Sequence, residues 1–283
     1  IDNIVMGSVA APFQGGFSET DSPLKRHANG LLYPVDSRVE QKGAPSDLSV
    51  LSKAETGVSW YPKPRRAVEF GSAEQVDVES EPGAIYAALN TVADGGTLKL
   101  AAGTHRVSKI LSIGKTISIV ADGDAVIEFE RSTLFEIEDG GNLRLQGLRI
   151  SGAFAPDYKG NSVIRTARQG MLKNYRVRID NIVVSDLTVN KFFNVISASK
   201  GSMADRIQIS HSTFRNISGS VLMLDRETDD FGIYNAEYID ISDSRFEGVM
   251  GAVAKVYRGG TDESTFGTHF SWVDSVITDV GLV

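Results

Sequence analysis

The chain has 283 residues, 41% hydrophobic and 23% charged, a balance that lets a globular chain bury a sizeable core. Its net charge of −7 excludes the global positive field that recruits nucleic acid, and a pI near 5.2 leaves only a local basic patch to meet an acidic polymer. It contains no cysteine, which excludes disulfides, thiolate chemistry and cysteine-ligated zinc, and no apolar run approaches the ~18 residues of a membrane-spanning helix.

In chain order, the opening Ile1-Asp2-Asn3-Ile4 reads like the inside of a strand, and residues 1–20 read as the last coil of a preceding β-helix. The closing Val280-Gly281-Leu282-Val283 stops without a capping signal. The expectation is therefore a piece of a longer protein. Residues 21–75 hold Pro23, Pro34, Pro45, Pro62 and Pro64 and show little periodicity, the pattern of an irregular connector. Residues 76–283 then form a second β-helix. Its first element is a helix over about 83–94, with apolar residues at Ile85, Ala88, Leu89 and Val92, Pro82 before it and Gly95-Gly96 after it. Such a helix plugs the open end of a solenoid, covering both core and unpaired strand edge. A strand follows at Thr97-Leu98-Lys99-Leu100.

A repeat begins at Leu145-Gln146-Gly147-Leu148-Arg149-Ile150. It recurs at Val184-Ser185-Asp186-Leu187-Thr188-Val189, Ile209-Ser210-His211-Ser212-Thr213-Phe214, Ile241-Ser242-Asp243-Ser244-Arg245-Phe246 and Trp272-Val273-Asp274-Ser275-Val276-Ile277. The last four are offset by 25, 32 and 31 residues. Each unit alternates apolar and polar residues, the period of a strand with one buried face. Second apolar runs follow at 194–196, 220–224 and 252–256, and polar loops absorb the length differences. This predicts an all-β, right-handed parallel β-helix. Leucine-rich repeats, with their shorter fixed register, do not fit. Phe192, Phe193, Phe214 and Phe246 are expected in the core, and His211, sharing the position of Asp186 and Asp243, on a strand surface. Tyr33, Trp60 and Tyr61 lie outside the repeat and are candidate sugar platforms.

Three stretches carry a resemblance: Thr56-Gly57-Val58-Ser59-Trp60-Tyr61-Pro62, Ser199-Lys200-Gly201-Ser202-Met203-Ala204-Asp205-Arg206-Ile207, and Val256-Tyr257-Arg258-Gly259-Gly260-Thr261-Asp262-Glu263-Ser264-Thr265-Phe266-Gly267. With the coil pattern, they resemble the C-terminal half of family 6 polysaccharide lyases, the group of alginate lyases and chondroitinase B. The third stretch resembles the two-domain alginate-lyase branch. The resemblance implies β-elimination on a uronate polymer. A calcium ion neutralises the C6 carboxylate, a lysine takes the C5 proton and an arginine assists the leaving oxygen. In that family these groups sit in an upstream catalytic β-helix. The family's Glu-x-Glu with a following Lys-Ser is not found here. Glu128-Phe129-Glu130 and Glu136-Ile137-Glu138 have the carboxylate spacing, but their alternation reads as solvent-facing strand positions. No catalytic or metal-binding residue is assigned, and calcium is expected in the parent's catalytic domain.

The candidate substrate-binding residues are Lys25, Arg26, Arg65 and Arg66, basic groups in the connector, with Tyr257 and Arg258 in the long loop. Arginine forks match the carboxylates of an acidic polysaccharide. Glu227 and Arg258 are expected as a structural pair on neighbouring coils, and Asp225-Arg226-Glu227 as a charged ridge. The expected function is the C-terminal β-helix that supports the catalytic domain of an alginate lyase. Its partners would be alginate, the upstream catalytic β-helix and a second copy in a homodimer, with neither nucleic acid nor membrane. The expected location is outside the cell or in the periplasm. The alternative is a non-catalytic carbohydrate-binding or structural β-helix module, since fold alone does not choose. A hydrolase with paired aspartates fits poorly, because no strand face carries such a pair.

Overall fold

The computed structural model describes residues 69–168, 170–227, 234–257 and 267–281, and two strands farther upstream. The chain divides into two units, Ile1–Arg66 and Ala67–Val283. In the first, β1 (Leu24–Arg26) pairs antiparallel with β2 (Leu32–Pro34), setting Lys25 opposite Tyr33.

The second unit is a right-handed parallel β-helix, in which every strand pairs parallel with the strand one coil away. It opens with β3 (Gln75–Val78) and α1 (Ala84–Thr91), which falls inside the window read from the sequence. Gly83, at φ 81°, turns the chain into the helix; Ile85, Leu89 and Val92 are buried and join the core of the first coils.

Three sheet faces build each coil. The first runs through β3, the N-terminal halves of β4 (Thr97–Val107) and β6 (Thr116–Phe129), then β8 (Asn142–Gln146), β11 (Tyr175–Asp180), β14 (Ala204–Ser210), β17 (Ala236–Ser242) and β20 (His269–Val273). The second takes the C-terminal halves of β4 and β6, then β9 (Arg149–Ser151), β12 (Val183–Leu187), β15 (Thr213–Ile217), β18 (Arg245–Val249) and β21 (Val276–Val280). The third comprises β5 (Leu111–Ile113), β7 (Thr133–Ile137), β10 (Ser162–Thr166), β13 (Asn194–Ser197), β16 (Leu222–Leu224) and β19 (Ala254–Val256).

Parallel register stacks like residue on like. On the first face Leu98, Ile119, Leu145, Ile179, Ile209 and Ile241 form one inward column, all essentially without solvent exposure. Each such side chain contributes about 1.5–3 kcal/mol through burial. On the second face Phe214 stacks on Phe246, ring centroids 5.2 Å apart and 4° from parallel, and Phe246 continues onto Trp272. Phe193, Phe214 and Phe246 are in the core as expected, but Phe192 is 56% exposed. Phe192 lies in the turn that precedes β13, outside the strand whose approach buries Phe193.

The corner between the first two faces corrects one repeat alignment. Register places Ile179, not Val184, beside Ile209, so the unit aligned with 209–214 is Ile179-Asp180-Asn181-Ile182-Val183-Val184. Corner spacings are 34, 30, 32 and 31 residues. The corner residues Gly147, Asn181, His211, Asp243 and Asp274 all have positive φ, from 46° to 73°. Glycine, asparagine and aspartate tolerate this left-handed conformation best. Asp186 belongs to a second ladder of left-handed residues with Asn216, Gly248 and Asp279, at the far end of the second face. A Ser-Asp pair at both corners made the two look alike. His211 is thus a turn residue, not a strand residue.

Candidate functional site

Of the residues singled out for substrate, Lys25 and Arg26 lie on β1, with Arg26 opposite Leu32, and Tyr257 follows β19. Arg65, Arg66 and Arg258 lie outside the described residues, as do Trp60 and Tyr61. The two carboxylate pairs behave as strand surface. Glu128 meets Arg106 at 3.4 Å and Glu136 meets Arg165, while Phe129 and Ile137 between the glutamates are buried. Among the described residues no group of three or more histidine, aspartate or glutamate side chains is placed to hold a metal ion. None of the helices there is long and apolar enough to cross a membrane.

The stretch Ser199–Ile207 is tied to the ridge at 225–227 by buried polar side chains. Asn235, with no solvent exposure, donates through Nδ2 to the carbonyls of Ser202 at 2.8 Å and Ser199 at 3.3 Å, and its Oδ1 accepts the Arg226 N–H at 3.2 Å. Glu227, only 2% exposed, accepts the Gly201 N–H and lies 3.5 Å from Asn235 Nδ2. The Glu227 carboxylate thus grips the backbone of the coil before it. Asn235→Ala would strand the Ser202 carbonyl and the Arg226 N–H, and a loss of about 2–3 kcal/mol is expected by urea denaturation.

A cavity of about 1540 Å³ is lined by Phe192, Met223, Met250, Phe270 and Trp272 among others. It opens where β20 and β21 have no third-face strand beside them among the described residues. Phe270 and Ile277, at core-facing register positions, are about half exposed there. Its apolar wall is the interior of a coil rather than a groove suited to a charged polymer.

The first sheet's outer face is different. Tyr175-Arg176-Val177-Arg178-Ile179-Asp180 and Leu143-Arg144-Leu145 alternate, so their arginines all point outward. Register sets Arg144 beside Arg178 and Arg176 beside Arg206. Arg206 meets Asp240 at 3.1 Å and lies 4.6 Å over the Tyr238 ring, which stacks on His269 at 4.9 Å. Sequence reading passed over this face; the alternating arginines were the available signal, and only register shows them adjacent.

Asp180 borders these arginines. Partial burial pushes its carboxyl upward, but hydrogen bonds from Ser210 (2.8 Å) and His211 (3.1 Å), and the charges of His211 and Arg178, outweigh burial and hold it below the usual carboxylate range. A depressed native value adds stability above the unfolded value, near pH 4 for aspartate, and that stability is lost as pH falls through the native value. Denaturation at about pH 6 and pH 3 should therefore show Asp180→Asn more destabilising at the higher pH than at the lower.

Fold and coil register define the class of protein: a pectate-lyase-like parallel β-helix. Among solved structures the chain is similar to the PL6 family alginate lyase AlyGC, with 41% identity and a TM-score of 0.78, covering 97% of this chain and 38% of that one. An arginine-to-alanine mutant of the same lyase gives 43% identity and a TM-score of 0.78, over 92% of this chain and 36% of that one. No family model matches the chain, nor does any curated protein. The chain spans little more than a third of the length of these structures. Over the stretch that it spans, the chain resembles these PL6 family lyases.

Proposed function

We propose that this chain is the supporting β-helix of an alginate lyase that cleaves by β-elimination. The observation that carries the reading is 41% identity to an alginate lyase across 97% of the chain. A stacked core with tied loops suits a rigid buttress for a catalytic domain. The elimination itself is assigned to that neighbouring domain. Calcium is assigned to that domain too, and no step is routed through it. The acidic polymer meets the protein outside the cell or in the periplasm, because a long polyuronate is too large to enter intact. A second copy of the chain is the remaining partner proposed.

The chemistry is tested by running the longer protein that contains this chain on alginate in heavy-oxygen water. Elimination breaks the bond to the 4-oxygen, leaves an unsaturated sugar at the new non-reducing end and takes no oxygen from solvent. Mass spectrometry should show unsaturated, unlabelled fragments. Labelled, saturated fragments would establish hydrolysis and overturn the reading.

A further inference from the structure

We infer that the outer face of the first sheet, centred on Arg144, Arg176, Arg178 and Arg206, is a binding track for a linear polyuronate. The assignment to a polyuronate rests on the alginate reading above; the existence of an anion track does not.

Charges are set differently on the three faces. On the second face Arg106 lies beside Glu128, and Arg215 beside Glu247. On the third, Glu136 lies beside Arg165. Neighbouring strands there put opposite signs side by side, the arrangement that stabilises a sheet. On the first face the rule is broken twice, arginine beside arginine, in a chain of net charge −7. Like charges in direct register are destabilising, and a bound anion removes that penalty. Among the carboxylates on this face, Asp240 pairs with Arg206, and Asp180, held by Ser210 and His211, also feels the charge of Arg178. Glu237 accepts the Tyr234 hydroxyl and lies 3.9 Å from His269. Arg178 is exposed and has no ion pair or hydrogen bond with the described residues.

The spacing suits a polymer rather than a single anion. Parallel strands repeat every ~4.8 Å, comparable with one sugar unit of an extended chain, so successive carboxylates can meet successive strands. Arginine forks take carboxylates in bidentate fashion. Tyr238, stacked on His269 beside Arg206, adds the aromatic surface on which a sugar ring rests. A track of this kind would hold the polymer on the β-helix while an adjoining domain acts on it.

The test measures binding of alginate to the 283-residue chain with calcium chelated, so that neither gelation nor turnover intervenes. The double variant Arg178→Ala/Arg206→Ala should raise Kd at least about tenfold. The control Arg215→Ala/Arg245→Ala, which removes the same charge from the second face, should change it less than about twofold. Arg178→Ala alone, at an exposed site that leaves the fold intact by circular dichroism, should already weaken binding. Neutral dextran should not bind. Equal losses in both double variants would overturn the track, as would no alginate binding by the parent chain. Binding of DNA as tight as that of alginate would overturn its assignment to a polyuronate. None of these readouts depends on lyase activity, so failure here is distinguishable from failure of the elimination reading.

Discussion

Phe214→Ala is expected to lower unfolding free energy by about 3–5 kcal/mol, the range for truncating a buried aromatic side chain. Phe214 has no solvent exposure, stacks flat on Phe246 at 5.2 Å and sits in register above Val184. Its removal opens a cavity in the second face and breaks the ring contacts that run from Phe214 through Phe246 to Trp272 of the first face. In a solenoid each coil is stabilised chiefly by its neighbours. The coils beyond β15 should therefore unfold first, and urea denaturation followed by circular dichroism should broaden or split. Phe192→Ala, at an exposed position one residue before the buried Phe193, should stay within about 0.5 kcal/mol of the parent. Similar losses for both variants would contradict the inward register assigned to the second face.

Gly141→Ala should destabilise by about 3 kcal/mol or more, although it adds one methyl group. An alanine Cβ there would lie 1.8 Å from the Ile113 carbonyl oxygen and 2.8 Å from its carbon. That carbonyl also accepts the Glu138 N–H at 2.9 Å, and Gly141 N–H donates to the Glu138 carbonyl at 2.9 Å. The obstacle is backbone from the coil below, which cannot rotate away as a side chain would. Relief must come from separating the turn from β5, with loss of ladder hydrogen bonds. Gly114→Ala, where the nearest atom would be 3.9 Å away, is the matched control and should be close to neutral by thermal denaturation.

The fold was legible because a parallel β-helix writes its period into the sequence. Leu145, Ile209, Ile241 and Trp272 were placed in one column by alternation alone. The slip at Val184 shows the limit: two corners per coil both favour residues that tolerate positive φ, and Ser185-Asp186 imitates the other corner. Alternation fixes which side a residue faces but not which corner it adjoins. The pair Phe192-Phe193 shows a second limit, since hydrophobicity without the strand's bounds does not tell the buried ring from the exposed one.

The candidate site was less legible for a different reason. Charges were weighed along the chain, in the basic stretches at 25–26 and 65–66 and in the loop at 257–258. The face that gathers arginines does so across strands about thirty residues apart in sequence. Arg144, Arg178 and Arg206 are each unremarkable in their own strand, and adjacency is a property of register. The ridge at 225–227 was recognised from its charge, but the role of Glu227 depends on Asn235 and Gly201, which carry no charge.

The central claim is that this β-helix supports a lyase without performing the elimination. The most direct measurement is ultraviolet absorbance of unsaturated uronate when the 283-residue chain is incubated with alginate and calcium, beside the longer protein that contains it. Absorbance that rises with the longer protein and not with the chain alone is the predicted result. A steady rise with the chain alone would contradict the account and place the elimination chemistry within these residues.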